Sequence, residues 1–207
     1  MKDTRDKAYT ERLVHKDTWW KRLLDVQRPY RYNLRRLQLG HVLDIGCGLG
    51  RNLQNLTLLG VTAVGVDHNS HSVAECQARG HDALDAADFA QRYSKAEAVF
   101  DSFLVSHVLE HMTDAEAAQL LKDYLPLLKA SGRVILITPQ ELGFASDPTH
   151  VAFTDFTALA KILQAAGLVA EQHYSFPLPR FMGRLFTHNE FVMVGARPNN
   201  KADTKPS

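Results

Sequence analysis

The residues whose types and spacing most clearly suggest chemistry run Val42-Leu43-Asp44-Ile45-Gly46-Cys47-Gly48-Leu49-Gly50-Arg51-Asn52. An apolar run meets three alternate glycines, after which helical spacing resumes. Glycine lets a chain turn tightly at positive φ and lets a ligand approach the backbone closely. A helix beginning near Arg51 offers free N–H groups and the positive end of its dipole, which suit a carboxylate or a phosphate. Asp44 adds a carboxylate just before the turn, and an acid there suits an ammonium group better than a pyrophosphate. A zwitterionic amino-acid tail would satisfy both. The next β-rich run, Val61–Val66, ends in Asp67, and a carboxylate at the tip of a second strand can accept two hydrogen bonds from ribose hydroxyls. Taken singly, the glycines fit an ordinary strand–helix turn and Asp67 fits a helix cap. Their combination favours a binding site.

Two further stretches carry histidines. Ser106-His107-Val108-Leu109-Glu110-His111-Met112 follows a fourth strand, and His can act as a general base near neutral pH. His107 and His111 are four apart, so a helix would set them on one face. That spacing also suits a metal pair, but no further ligand cluster supports one, and no metal is expected. Asp147-Pro148-Thr149-His150-Val151-Ala152-Phe153-Thr154 forms a loop in which Pro148 adds stiffness and His150 could reach a substrate. The plainer alternative has Asp147 and Thr149 capping a helix and His150 ordering the loop.

The elements that must position these groups follow from periodicity. Residues 10–38 read as an amphipathic helical stretch containing Trp19, Trp20 and Leu34, divided in two by Pro29. Strands are expected at 41–45, 61–66, 81–84, 101–106 and 133–138, with two more at 168–175 and 190–196. Helices are expected at 51–58, at 71–79 behind a cap at Asn69 or Ser70, from Thr113 or Asp114 to Lys129 with Ser131-Gly132 marking the end, and at 154–166. Strands alternating with helices imply a parallel sheet covered on both faces. The last two strands have no helix between them and are expected to pair antiparallel. Residues 198–207 read as a disordered tail.

Here the sequence resembles the Rossmann-like S-adenosylmethionine (SAM)-dependent methyltransferases, over about residues 38–197. The most specific parts are Leu43 to Arg51 and Phe100-Asp101-Ser102-Phe103-Leu104-Val105-Ser106-His107-Val108-Leu109-Glu110-His111-Met112. The resemblance implies an α/β fold with a seven-stranded, mostly parallel sheet whose last strand is antiparallel. It implies that Asp44, Gly46, Cys47, Gly48, Gly50, Arg51 and Asn52 hold the methionine part of SAM and that Asp67, with His68, holds the ribose. Leu84-Asp85-Ala86-Ala87-Asp88-Phe89 looks like the adenine-contacting motif, with Asp85 on the exocyclic amine and the Ala86 backbone on the ring. Asp88 could take that role instead, and both acids could simply be helix caps. Ser106 completes the cofactor set. His111 fits the scaffold of the turn, and His107 or His150 is the candidate base.

Bulk properties are consistent with this. At 207 residues the chain has room for one sizeable core. Residues 1–40 hold 11 Lys+Arg against 5 Asp+Glu although the whole chain has a net charge of +1. That basic arm is read as a helical lid (1–40) over a catalytic domain (41–197), rather than as a nucleic-acid surface. Cys47 and Cys76 form neither a C-x-x-C pair nor a disulfide framework, which suits the cytoplasm. No secretory leader or membrane span is expected. The expected activity is methyl transfer from SAM to a small molecule, O- ahead of N-methylation; the sequence does not name the acceptor or an oligomeric state. One alternative is an NAD(P)-dependent oxidoreductase, but Gly46, Gly48 and Gly50 give G-x-G-x-G where G-x-G-x-x-G is expected. The other is a non-catalytic SAM-fold module that binds RNA or a protein.

Overall fold

The computed structural model describes residue 25 and residues 27–198. Most of the basic arm, with Trp19 and Trp20, and the tail from residue 199 lie outside the described residues. The described chain opens with α1 (Arg28–Arg36). Pro29 sits in its first turn, where the missing N–H costs nothing; the half of the stretch before Pro29 that the sequence reading makes a separate helix lies outside the described residues. There follow β1 (Val42–Ile45), α2 (Arg51–Leu58), β2 (Ala63–Asp67), α3 (Ser70–Ala78), β3 (Ala83–Asp85) and α4 (Ala86–Arg92). The second half comprises β4 (Phe100–Ser106), α5 (Asp114–Tyr124), β5 (Leu128–Pro139), α6 (Glu141–Ala145), α7 (Phe156–Ala165), β6 (Val169–Phe176) and β7 (Glu190–Ala196).

The strands form one sheet in the order β3-β2-β1-β4-β5-β7-β6. β1 pairs parallel with both β2 and β4, while β7 runs antiparallel between β5 and β6. The seven strands and the antiparallel last strand agree with expectation. The strand order reverses between β1 and β4, so the connections leaving their C-terminal ends diverge and open a crevice there. Period-2 alternation divides the core. Leu43, Phe103, Val105, Val134 and Leu136 face the layer that includes Leu121 and Leu159. Val42, Leu104, Ile135 and Ile137 face Leu34 of α1 and Leu56 of α2.

Two boundaries differ from the sequence reading. The helix from Asp114 stops at Tyr124, not Lys129, because Pro126 lacks the N–H that another turn needs. Ser131-Gly132 therefore terminates no helix; it lies inside β5, where the pairing with β4 slips between Phe100 and Ser102. The later helix is capped by Asp155, whose side chain accepts from the Thr157 and Ala158 N–H groups, rather than by Thr154. The short α4 and α6 were not foreseen.

Candidate functional site

The glycine turn follows β1 directly. Gly46, Gly48 and Gly50 all have positive φ. A Cβ on Gly46 would lie 2.3 Å from Val108 Cγ2, and one on Gly50 would lie 2.5 Å from Cys76 Sγ, so those glycines are demanded by packing. A Cβ on Gly48 would meet nothing within 4 Å, which marks open space above the turn. Cys47 is buried beside Cys76, and both thiols are free. Arg51 and Asn52 begin α2.

Asp44 is fully buried, and neither carboxylate oxygen meets a hydrogen-bond partner. Burial pushes its pKa up to about 7; the nearby Asn52 amide and the Arg51 charge pull it down, and Asp67 adds to the rise. A buried carboxyl without a donor is costly. An ammonium group delivered by a ligand is the partner it lacks.

Asp67 ends β2. Its Oδ2 accepts the Gly48 N–H at 2.8 Å and its Oδ1 accepts the Asn69 N–H at 2.8 Å. The residue ties the glycine turn to the second strand, and each oxygen keeps a lone pair for a further donor. The cap of α3 is Asn69, whose Oδ1 accepts from the His71 and Ser72 N–H groups. His68 is half exposed, with Nδ1 3.6 Å from Asp67 Oδ1. Asp85 lies next to Asp67 in the sheet register. Its Oδ1 accepts from the Ala87 and Asp88 N–H groups, which makes it the cap of α4, with Ala86 and Asp88 in the first turn.

Ser106, Arg51, Asn52, Tyr30 and Glu190 line a small cleft between α1 and the C-terminal ends of β4 and β5. A wider depression, lined by Thr57, Gly60 and Gly80, precedes β2 and β3 at the opposite edge of the sheet, away from these groups. Tyr30 reaches the cleft because α1 packs through Leu34, with the Tyr30 hydroxyl donating to the His188 carbonyl at 3.2 Å.

His107 occupies the left-handed region at φ +59. His is among the non-glycine residues that tolerate it, at some cost. Its Nδ1 lies 3.2 Å from Glu110 Oε1 and its Nε2 lies 2.8 Å from Glu190 Oε1. By surface area the side chain is 32% exposed, yet enough protein surrounds it for burial to weigh against its charge. The two carboxylates outweigh that burial and raise its pKa to about 9. Both ring nitrogens of His107 thus face carboxylates, which favours the imidazolium and weighs against its reading as a base.

Glu190 was missed in the sequence. The available signal was an acid opening an otherwise apolar strand, Glu190-Phe191-Val192-Met193-Val194. Buried Gln140 and Asn189 hold it in place: Gln140 Nε2 donates to the Glu190 carbonyl at 2.9 Å, and Asn189 Nδ2 donates to Gln140 Oε1 at 2.9 Å.

His150 Nδ1 lies 2.7 Å from the Phe144 carbonyl, and its Nε2 is 4.0 Å from Glu110 Oε1. The two candidate bases thus converge on one carboxylate, and His150 lines no part of the cleft. Asp147 caps no helix; it closes a turn by accepting the Thr149 N–H at 2.9 Å. The fold pairs His111 with His150, whose ring centroids are 4.9 Å apart, and not with His107. Burial lowers the His111 pKa.

A family described as a methyltransferase domain matches residues 20–194. The chain belongs to this family. Among curated relatives, a ubiquinone biosynthesis O-methyltransferase of Bradyrhizobium diazoefficiens is 32% identical over 119 residues, covering 54% of this chain and 46% of the relative. One from Rhodopseudomonas palustris is 30% identical over 100 residues, covering 47% and 39%. The match thus spans less than half the length of these relatives. Among solved structures, a TehB-like SAM-dependent methyltransferase from Corynebacterium glutamicum aligns with TM-score 0.64 at 18% identity, covering 93% of this chain and all of that one. A magnesium protoporphyrin IX methyltransferase from Synechocystis, with bound S-adenosylhomocysteine, gives 0.62 at 16% identity, covering 94% and 96%. At these identities the shared fold is what they establish.

The methyltransferase family thus stands as the sequence has it. The methyltransferase's own residues fit SAM: unpartnered Asp44 suits the ammonium, the open space over Gly48 admits the ligand, and Asp67 can take the ribose. No helix among the described residues is long and apolar enough to cross a membrane.

Proposed function

We propose that this methyltransferase transfers a methyl group from SAM to a hydroxyl oxygen of a small molecule held in the cleft of Tyr30, Arg51, Asn52, Ser106 and Glu190. The observation that carries the cofactor side is Asp44, a fully buried carboxyl with no partner beneath an unobstructed Gly48. On the acceptor side, the cleft is narrow, and the apolar Leu34 and Ile137 line it beside the polar groups. The Bradyrhizobium and Rhodopseudomonas relatives, named for O-methylation in ubiquinone biosynthesis, support a small acceptor with a hydroxyl group.

SAM, when bound, supplies an electrophilic methyl on a sulfonium, so the protein mainly aligns the reactants and excludes water. Asp44 and the glycine turn fix the amino-acid end, and Asp67 fixes the ribose, with His68, Asp85 and Ala86 on the nucleoside side. With SAM held there, an acceptor oxygen would displace the methyl from the sulfonium in line, leaving the neutral thioether, and the hydroxyl proton would pass to a carboxylate. Glu190 is that carboxylate, because it lines the cleft. His107 acts as a positioning cation, pinning Glu190 by its 2.8 Å contact. His150 holds the loop and is not the base.

The packing of α1 on the sheet, which brings Tyr30 to the cleft, supports residues 1–40 as a cover and 41–197 as the catalytic domain. The free cysteines support a cytoplasmic setting. Isothermal titration with SAM and NADH, followed by transfer of labelled methyl to phenols, catechols and transfer RNA, tests the proposal. SAM binding with labelling of a hydroxyl compound is expected. NADH binding in place of SAM would restore the oxidoreductase alternative. SAM binding with labelling of RNA alone would overturn the small-molecule acceptor.

A further inference from the structure

Outside the SAM cradle, three residues bring metal-binding atoms together. Glu110, His111 and His150 each offer one such atom, and all three atoms lie within 4.8 Å of one another. Glu110 is fully buried, and its Oε2 has no hydrogen-bond partner. His107 Nδ1 meets the other oxygen, Oε1, from which His150 Nε2 stands 4.0 Å.

The two histidines are already set as ligands. His111 Nδ1 lies 3.2 Å from the Thr149 carbonyl, and His150 Nδ1 lies 2.7 Å from the Phe144 carbonyl. A carbonyl can only accept, so each Nδ1 carries the proton and each Nε2 keeps its lone pair. This is the outer-shell arrangement that orients imidazole ligands on a metal. Nor does the loop depend on a metal for its position. The Glu110 carbonyl accepts the Val151 N–H at 2.7 Å and the Ala152 N–H at 3.2 Å, which fastens the His150 loop to the turn bearing Glu110 and His111.

We propose that Glu110, His111 and His150 form a binding site for a divalent transition metal of the zinc class. Two imidazoles and a carboxylate select such an ion over magnesium or calcium, which prefer all-oxygen shells. Three protein ligands leave a coordination position open for water or an oxygen ligand. Zinc bonds of about 2.0–2.1 Å would draw the ligand atoms closer than they stand now, a movement within the reach of side-chain rotation. The site shares no residue with Asp44, the glycine turn or Asp67, so metal and SAM binding are separate measurements.

The test uses full-length protein stripped with chelator and free of any affinity tag. Cobalt(II) titration should give visible ligand-field bands saturating at one equivalent, bleached by one equivalent of zinc(II), with the same stoichiometry by elemental analysis. His111→Ala and His150→Ala should each weaken cobalt binding at least 100-fold. His71→Ala, which changes an exposed histidine elsewhere, should leave it unchanged. Each variant's melting curve and SAM affinity report whether it is folded. Glu110→Gln is secondary, because its burial risks the fold. The site is refuted if folded, SAM-binding parent protein takes up no stoichiometric cobalt or zinc. It is equally refuted if folded His111→Ala and His150→Ala bind cobalt as the parent does.

Discussion

Asp44→Asn tests the cofactor assignment most directly, because stability and binding should move in opposite directions. In the ligand-free fold the Asp44 pKa rises from 3.8 to about 7. With the folded value above the unfolded one, the folded state holds its proton more tightly. Stability is therefore lost as pH climbs from 3.8 through about 7, and the loss is complete above that. The gap corresponds to about 4 kcal/mol, a ceiling for this residue. Asparagine removes the charge but leaves an amide to satisfy, at roughly 1–3 kcal/mol. A net gain of about 2 kcal/mol for Asp44→Asn at pH 8 would raise the melting temperature by about 4–8 °C for a chain of this size. SAM affinity should meanwhile fall about 10- to 150-fold, the loss of one charge-assisted hydrogen bond worth roughly 1.5–3 kcal/mol. In the parent, SAM affinity should decline below pH 7 by up to about tenfold per pH unit, since the carboxyl must lose its proton to meet an ammonium. Differential scanning fluorimetry and calorimetric titration from pH 5.5 to 8 measure both effects. The reasoning fails if Asp44→Asn melts below the parent at pH 8 while binding SAM equally well.

Three other perturbations separate binding from folding. Gly48→Val should abolish SAM binding while costing the fold about 1–2 kcal/mol for the residue's positive φ; calorimetry and a melting curve decide, and unchanged SAM affinity would clear Gly48 of any role. Asp67→Ala should weaken SAM at least about tenfold and also lower the melting temperature, because the Gly48 and Asn69 N–H groups lose their acceptor; normal binding in an early-melting protein would make Asp67 purely structural. His107 has a raised folded pKa, so its stabilisation is present in full below pH 6.5 and is lost as pH rises through about 9. Denaturant melts across that range should show the decline, and Glu190→Gln should move it to lower pH; superimposable profiles would contradict the His107–Glu190 pairing.

What could be read from the sequence was local. The glycines announced their positive φ, Asn69 announced a cap, and the alternation through β4 and β5 announced two buried faces, because each property rests on neighbours within a few residues. The end of α5 is equally local: Pro126 marks it, and Ser131-Gly132, which resembles a helix stop, falls inside β5. The pairing of His107 with Glu190 spans 83 residues and depends on β7 inserting antiparallel beside β5, which no local pattern specifies. The contact that weighs against His107 as a base was therefore not legible. A histidine with one free nitrogen and one held between two carboxylates look identical in a sequence. His111 and His150 were likewise judged apart, although their loops are joined through the Glu110 carbonyl.

Three costly features lie in or just after the C-terminal halves of β1 and β4. Across the rest of the sheet, apolar side chains alternate between two closed layers. At the C-terminal ends of the strands, Asp44 is buried without a donor, Glu110 Oε2 is buried without a partner, and His107 holds a left-handed backbone. Each costs folding free energy that the surrounding sheet must offset. Two of the three are buried carboxyls, Asp44 with only the Asn52 amide near it and Glu110 with one oxygen bare, so cations from outside the chain would relieve both. For Asp44 that cation is an ammonium on the cofactor; for Glu110 it is a metal held with two imidazoles. Bound ligands should therefore stabilise this protein beyond the gain from contact area, since they also remove a cost the empty fold carries.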